Sequence, residues 1–174
     1  MQVTTSTEHD WNPRWSPDGK ALAFDRQASS GDARLWIVRR GANGGWDKPQ
    51  ALPYRGLAAL AAWSPDGRSL SFSADSGIRV LDIATGRQRL VAGAPSAWSG
   101  WSADGRTIYW AESRPQRFTI SAVPSSGGTP RALVYADAPD RQLHRLGFAV
   151  SNGRFYFTLS DRTADVWVAE TERK

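Results

Sequence analysis

The chain of 174 residues contains no cysteine, which excludes disulfide bonds and thiolate metal ligands. It also lacks any apolar run near the ~20 residues that a membrane-spanning helix needs, so we expect no membrane insertion. Residues 1–5 show no basic stretch followed by an apolar one, and no signal peptide is predicted in this chain. The compartment stays open: periplasmic if an upstream signal has been removed, and cytoplasmic otherwise.

Histidine is scarce, since the chain has only His9 and His144. They form no pair with the spacing of metal ligands, so we expect no metal site and no cofactor. A small polar or cation site is the minority alternative. Both histidines precede predicted inner strands, and Asp10, Asp137 and Asp140 are close to them in sequence.

Lysine is scarce as well, although the net charge is +5. Of the 22 basic residues, lysine occurs only at positions 20, 48 and 174, which leaves 22 − 3 = 19 arginines. The arginines are scattered along the chain, whereas a nucleic-acid interface should cluster its charge. We therefore interpret them as a solvated surface and expect no nucleic-acid partner.

The most informative positive feature is a repeat of the form Trp-Ser-x-Asp-Gly followed by an alternating apolar strand. Its copies begin at positions 15, 63 and 101, with a degraded copy at Val150, giving spacings of 48, 38 and 49 residues. This spacing is typical of four-stranded propeller blades. The residues assigned to the repeat are Trp15, Asp18, Gly19, Trp63, Asp66, Gly67, Trp101, Asp104 and Gly105.

Each copy predicts a β-hairpin. Ser, Pro, Asp and Gly suit the four positions of a type I turn, because proline fixes φ at the second position and glycine is favoured at the fourth. After the turn, Leu22 and Phe24 alternate with small residues, as a strand with period two requires. The tryptophan before the turn is expected to pack between neighbouring sheets.

The remaining segments fit an all-β propeller of four-stranded antiparallel blades. A third strand follows in every repeat, and a Gly-rich turn and a fourth strand follow in three of them. We predict a single domain, 1–174, with blade one at about 10–53, blade two at 57–92, blade three at 95–135 and blade four at 143–170. The strand at 2–5 is predicted to complete blade four, which would close the ring.

These residues resemble the TolB-type repeat, a WD-like repeat with the core Trp-Ser-Pro-Asp-Gly. The resemblance covers essentially the whole chain. It implies a propeller like the C-terminal domain of TolB and related bacterial propellers, including those attached to prolyl-oligopeptidase-type peptidases and those that follow kinase or regulator domains.

The number of blades departs from that family, whose members have six to eight. Three explanations are open for the four predicted blades. The chain is a fragment of a longer propeller, it closes alone as a four-bladed ring, or two copies associate into an eight-bladed ring.

Catalytic motifs are absent from the sequence. There is no Gly-x-Ser-x-Gly elbow and no phosphate-binding glycine loop. The inner strands at 58–63, 96–101 and 146–150 are mostly apolar or small. From these absences we expect that the chain is not an enzyme.

We expect instead a scaffold that binds a protein or peptide on the face formed by two sets of loops, those that enter the inner strands and those that join the second strand to the third. Arginine and tryptophan are favoured anchors at interfaces. The candidate binding residues are His9, Asp10, Trp11, Arg34, Arg55, Trp98, Arg114, Asp140, Arg141, His144 and Arg162. The alternatives are a gating propeller of a peptidase, a sensor propeller, and a fragment or engineered sequence with no independent function.

Overall fold

The structure is a computed structural model that describes residues 2–54, 57–94, 98–114, 117–137, 141–151 and 153–161. Within these ranges, only the backbone is described for residues 113–114, 136, 141–147 and 159–161. This part of the chain is built of β-strands, and none of its segments is a helix that could cross a membrane.

The strands form four consecutive antiparallel sheets, which we call blades one to four. Blade one contains β1 (His9–Trp15), β2 (Ala21–Gln27), β3 (Ala33–Arg39) and β4 (Gln50–Ala51). Blade two contains β5 (Ala58–Trp63), β6 (Ser69–Ala74), β7 (Gly77–Asp82) and β8 (Gln88–Ala92). Blade three contains β9 (Trp98–Trp101), β10 (Thr107–Arg114), β11 (Arg117–Pro124) and β12 (Arg131–Asp137). The described strands of blade four are β13 (Arg141–Ser151) and β14 (Arg154–Asp161).

Each blade packs face to face on the next one along the chain, so the second strands of blades two and three lie between two neighbouring blades. The second strand of blade one is buried as well, because Val3 and Trp46 cover the face that is turned away from blade two. In β2, every residue from Ala21 to Arg26 is buried. The interfaces between successive blades contain Leu35 with Phe72, Val80 with Trp110, and Phe118 with Phe148. This stacking of sheets confirms the prediction of an all-β propeller with four blades.

The N-terminal segment lies beside blade one. Val3 packs against a cluster of Leu22, Phe24 and Val38 on the face of blade one that is turned away from blade two. Residues 2–5 are not part of a strand in the structure. The predicted third strand of blade four falls on residues 166–169, outside the described residues, so completion of that blade by residues 2–5 stays a prediction.

Candidate functional site

The Trp-Ser-x-Asp-Gly segments form tight turns between the first and second strands. The N–H of Gly19 donates to the carbonyl of Ser16 over 2.9 Å, and Gly19 has a φ of +68°. The hydroxyl of Ser16 donates to Oδ1 of Asp18 over 2.6 Å and accepts from the N–H of Ala21 over 2.8 Å. The same hydrogen bonds recur at Ser64 and Ser102. These side chains are therefore engaged within their own turns.

At the other end of the blades lies the loop face, where β1 begins beside the end of β2. The rings of His9 and Trp11 are 6.2 Å apart, and Trp11 is 56% exposed. Asp10 is paired with Arg26, whose Nε and Nη2 donate to its two carboxylate oxygens over 2.6 and 2.8 Å. This bidentate hydrogen bonding lowers the pKa of Asp10. Asp10 thus serves a structural ion pair, while Trp11 is free to contact a partner.

The other predicted binding residues are distributed as follows. Arg34 is exposed at the start of β3, opposite Arg26. Arg114 lies at the end of β10, and Arg141 and His144 lie on β13, with their side chains not described. Arg55, Asp140 and Arg162 fall outside the described residues. Trp98 is buried at 8% exposure, because it lies in the wall of a cavity rather than on an outer loop.

That cavity has a volume of about 1000 Å³ and lies between the inner strands of the four blades. Its wall includes Arg14, Ala61, Trp98, Tyr109, Val150 and Tyr156. The guanidinium carbon of Arg14, from blade one, lies 5.6 Å from the ring centre of Trp98 in blade three. Among the described residues, no carboxylate lies within ion-pair distance of Arg14. In the part of the chain that the structure describes, a cation stacked on an indole is therefore presented to the cavity without a carboxylate in ion-pair contact.

A buried carboxylate holds the cavity wall in shape. Asp25 accepts hydrogen bonds from the side-chain amide of Asn12 over 2.7 Å and from the backbone N–H of Leu60 over 3.1 Å. Asn12 and Leu60 have φ values of +51° and +60°, and both lie at irregularities in the pairing of their inner strands. Burial raises the pKa of Asp25, and the hydrogen bonds from Asn12 and Leu60 and then the nearby charge of Arg14 partly oppose that rise.

Sequence reasoning did not single out Asn12, Arg14 or Asp25 as candidate site residues. The available signal was the composition of β1, which is polar at Asp10, Asn12 and Arg14, whereas β5 and β9 consist of apolar or small residues. A bulge between Trp11 and Arg14 changes the alternation of side chains, so the direction of each one could not be read from period two. In the described part of the chain, no three acidic or histidine side chains come together as metal ligands.

Comparisons with known proteins were made for the whole chain. No protein-family model matches the sequence, and no curated protein matches it significantly. Solved structures do match, at low identity. An oligogalacturonate lyase from Vibrio parahaemolyticus has a TM-score of 0.60 at 12% identity, over 78% of this chain and 43% of the lyase. TolB from Acinetobacter baumannii has a TM-score of 0.54 at 21% identity, over 84% of this chain and 42% of TolB.

A third match is a chain of the nidogen/laminin complex, with a TM-score of 0.58 at 12% identity, over 88% of this chain and 76% of that chain.

The chain spans about two fifths of the length of the lyase and of TolB. At these identities the likeness shows the fold alone.

One sequence-based expectation is corrected by these matches. From the lack of catalytic motifs we expected that the chain is not an enzyme. This expectation is wrong, because oligogalacturonate lyase is an enzyme with the same fold. The physical reason is that reactive groups on such a fold can come together from separate strands and loops. No linear motif records such an arrangement.

The order of the strands, the stacking of the blades and these likenesses together show that the chain has the β-propeller fold of TolB and its structural neighbours.

Proposed function

We propose that this propeller binds an acidic peptide segment of a partner protein in the cavity at Arg14 and Trp98. The observation that carries the proposal is the guanidinium of Arg14 stacked on Trp98 without a carboxylate partner among the described residues. A guanidinium offers a planar set of donors that matches a carboxylate, and stacking on an indole fixes its plane.

The dimensions of the cavity fit such a ligand. At about 1000 Å³ it is at the upper end of the range for ligand sites, which is about 300–1000 Å³. Its wall combines aromatic side chains such as Tyr109 and Tyr156 with small residues such as Ala61 and Gly100. Small residues leave room for an extended backbone, and the aromatic rings supply apolar contact area.

The loop face supports a protein rather than a free small ligand as the source of the peptide. Trp11 is 56% exposed and lies beside His9, and Arg34 is exposed on the same end of blade one. Tryptophan and arginine are the residue types that most often dominate binding energy at interfaces. The likeness to a chain of the nidogen/laminin complex is in keeping with a propeller that engages another protein.

The proposal is tested with two pools of fluorescent decapeptides, one composed of Glu, Ala and Gly and the other with Gln in place of Glu. We expect fluorescence polarisation to detect binding of the Glu pool and little binding of the Gln pool. Arg14→Gln should weaken binding about tenfold, because a charge-assisted hydrogen bond is lost.

Arg40 provides the matched control, since its guanidinium carbon lies 4.8 Å from the ring centre of Trp46, outside the cavity. Arg40→Gln should leave binding unchanged. Equal binding of both pools, or equal effects of the two substitutions, would contradict the proposal.

A second candidate ligand is an acidic saccharide. The pair of Arg14 and Trp98 favours this ligand, because a sugar ring can lie on Trp98 while its carboxylate meets Arg14. In addition, one structural neighbour is an oligogalacturonate lyase. Titration with an oligogalacturonate distinguishes the two candidates. Binding that depends on Arg14 and is accompanied by ultraviolet absorbance of an unsaturated product would favour a saccharide enzyme over a peptide-binding module.

A further inference from the structure

The tryptophan of each repeat binds the blade that precedes it. Nε1 of Trp63 in blade two donates to the carbonyl of Arg14 in blade one over 3.0 Å. Nε1 of Trp101 in blade three donates to the carbonyl of Ala62 in blade two over 3.1 Å. In both cases the acceptor is the residue immediately before the repeat position of the preceding blade, so the two interfaces are built in the same way.

Trp15 of blade one has no such partner. It is 54% exposed, and its indole N–H meets no acceptor among the described residues. Its side chain is on the correct face, because Trp15 pairs with Leu22 in the same register in which Trp63 pairs with Leu70. Trp46 lies against its ring at 5.6 Å. The side chain of Trp15 therefore occupies the position of Trp63 and Trp101 but is itself exposed.

The register of the sheets identifies the carbonyl that would complete this interface. Arg14 pairs with Ala23 and Ala62 pairs with Ser71, and the corresponding pair in blade four is Ala149 with Tyr156. Ala149 is exposed, and Tyr156 is 51% exposed on the same face. The described strands of blade four thus present an exposed face equivalent to those that receive Trp63 and Trp101.

We propose that the open face of blade four in a second copy of this chain docks on Trp15, with the carbonyl of Ala149 accepting from its indole N–H. Two copies related by a two-fold axis satisfy both open faces and complete one ring. The outer part of the blade one face is already covered by Val3 and Trp46, so the contact is confined to the edge next to the inner strand.

The choice of a second copy over blade four of the same chain follows from how the blades pack. Among the described strands, those of blade one do not pack on those of blade four, so the two open faces are apart within one chain. Most of the chain likewise superposes on less than half of the lyase and of TolB.

The first test is the mass of the protein in solution, measured by analytical ultracentrifugation over a dilution series. We expect a dimer that dissociates on dilution. Trp15→Phe keeps an aromatic side chain and removes the indole N–H donor. It should raise the dissociation constant of the dimer about threefold to tenfold. Trp11→Phe is the control, because Trp11 is equally exposed on the same strand but lies on the loop face. A monomer at every concentration, or equal effects of both variants, would overturn the proposal.

Cross-linking separates a second copy from closure within one chain. Pro17 in the repeat turn of blade one lies next to Gly67 in the repeat turn of blade two, so the turns of adjacent blades meet. Lys20→Cys and Ser151→Cys place thiols on the turns of blades one and four, and the chain has no other cysteine. With a short bismaleimide, a mixture of the two single variants should give a product of twice the mass. An internal cross-link in the double variant, without that product, would show that the ring closes within one chain and would overturn the proposal. The pair of Lys20→Cys and Ser125→Cys is the negative control for the cross-linking reaction.

Discussion

The carboxylate of Asp25 on β2 of blade one accepts a hydrogen bond from the backbone N–H of Leu60 on β5 of blade two. The same carboxylate holds the side chain of Asn12, so one buried group fixes two inner strands at their irregular positions. Both inner strands line the cavity, since Arg14 comes two residues after Asn12 and Ala61 comes directly after Leu60. The shape of the candidate site therefore depends on a residue outside it.

Removal of this carboxylate should be costly. In Asp25→Ala, the amide of Asn12 and the N–H of Leu60 lose their acceptor, and each unsatisfied donor costs about 1–3 kcal/mol. Asp25→Asn retains one oxygen acceptor and no charge, so its loss should be clearly smaller. Urea denaturation followed by circular dichroism measures both. Equal stability of the two variants would show that the hydrogen bonds at Asp25 do not stabilise the interface.

Stability should fall in acid because of the aspartates in the repeat turns. Hydrogen bonds from Ser16, Ser64 and Ser102 lower the pKa of Asp18, Asp66 and Asp104 in the folded state. A lowered pKa gives stability that is complete above the unfolded value of about 3.9 and is lost as the pH falls through the folded value.

The raised pKa of Asp25 acts in the opposite direction. Its folded form holds a proton more tightly than the unfolded chain, so this group stabilises the fold less as the pH rises above the ordinary value for aspartate.

Replacement of the three turn aspartates by asparagine should flatten the acid limb of the curve of unfolding free energy against pH. A curve of unchanged slope would contradict the assignment of that limb to the turns.

Among the glycines with positive φ in the described part of the chain, Gly77 at the start of β7 should be the least replaceable. It has a φ of +131°, and a Cβ at this position would lie against the carbonyl oxygen of Ala92 on β8. Gly77→Ala should lower the unfolding free energy by about 3 kcal/mol or more, since backbone strain and overlap add. Gly19→Ala, with φ +68° and open space around its Cβ, should cost only about 1–2 kcal/mol. Thermal unfolding of the two variants checks this order.

The indole N–H of Trp63 should contribute measurably to the contact between blades one and two. Trp63→Phe keeps an aromatic ring but leaves the carbonyl of Arg14 without this donor, so we expect a loss of about 1 kcal/mol. Trp11→Phe removes an exposed indole on the loop face and should leave the midpoint of urea unfolding unchanged. Equal midpoints for both variants would mean that the hydrogen bond between the blades adds nothing to stability.

The repeat could be predicted from sequence because its physics is local. Ser16, Asp18 and Gly19 close their turn through bonds to one another and to the adjacent backbone, so residue types and spacing are sufficient. The alternation of Leu22 and Phe24 likewise predicted a strand, and these residues lie in β2. Trp98 was recognised as a candidate residue but assigned to the loop face, because its inward position depends on how far β9 extends along β10.

The sequence by itself determined the β-propeller fold, the hairpin in each repeat and the number of blades, since these follow from turn chemistry and period-two patterning within about 40 residues. Only the tertiary structure decided that Arg14 meets Trp98 and that Asp25 reaches Leu60. It also decided that, within the described ranges, Trp15 lacks the partner that Trp63 and Trp101 have. Those relationships join residues from different blades. They depend on bulges in the inner strands and on the stacking of whole sheets, neither of which leaves a mark in the local pattern of residues.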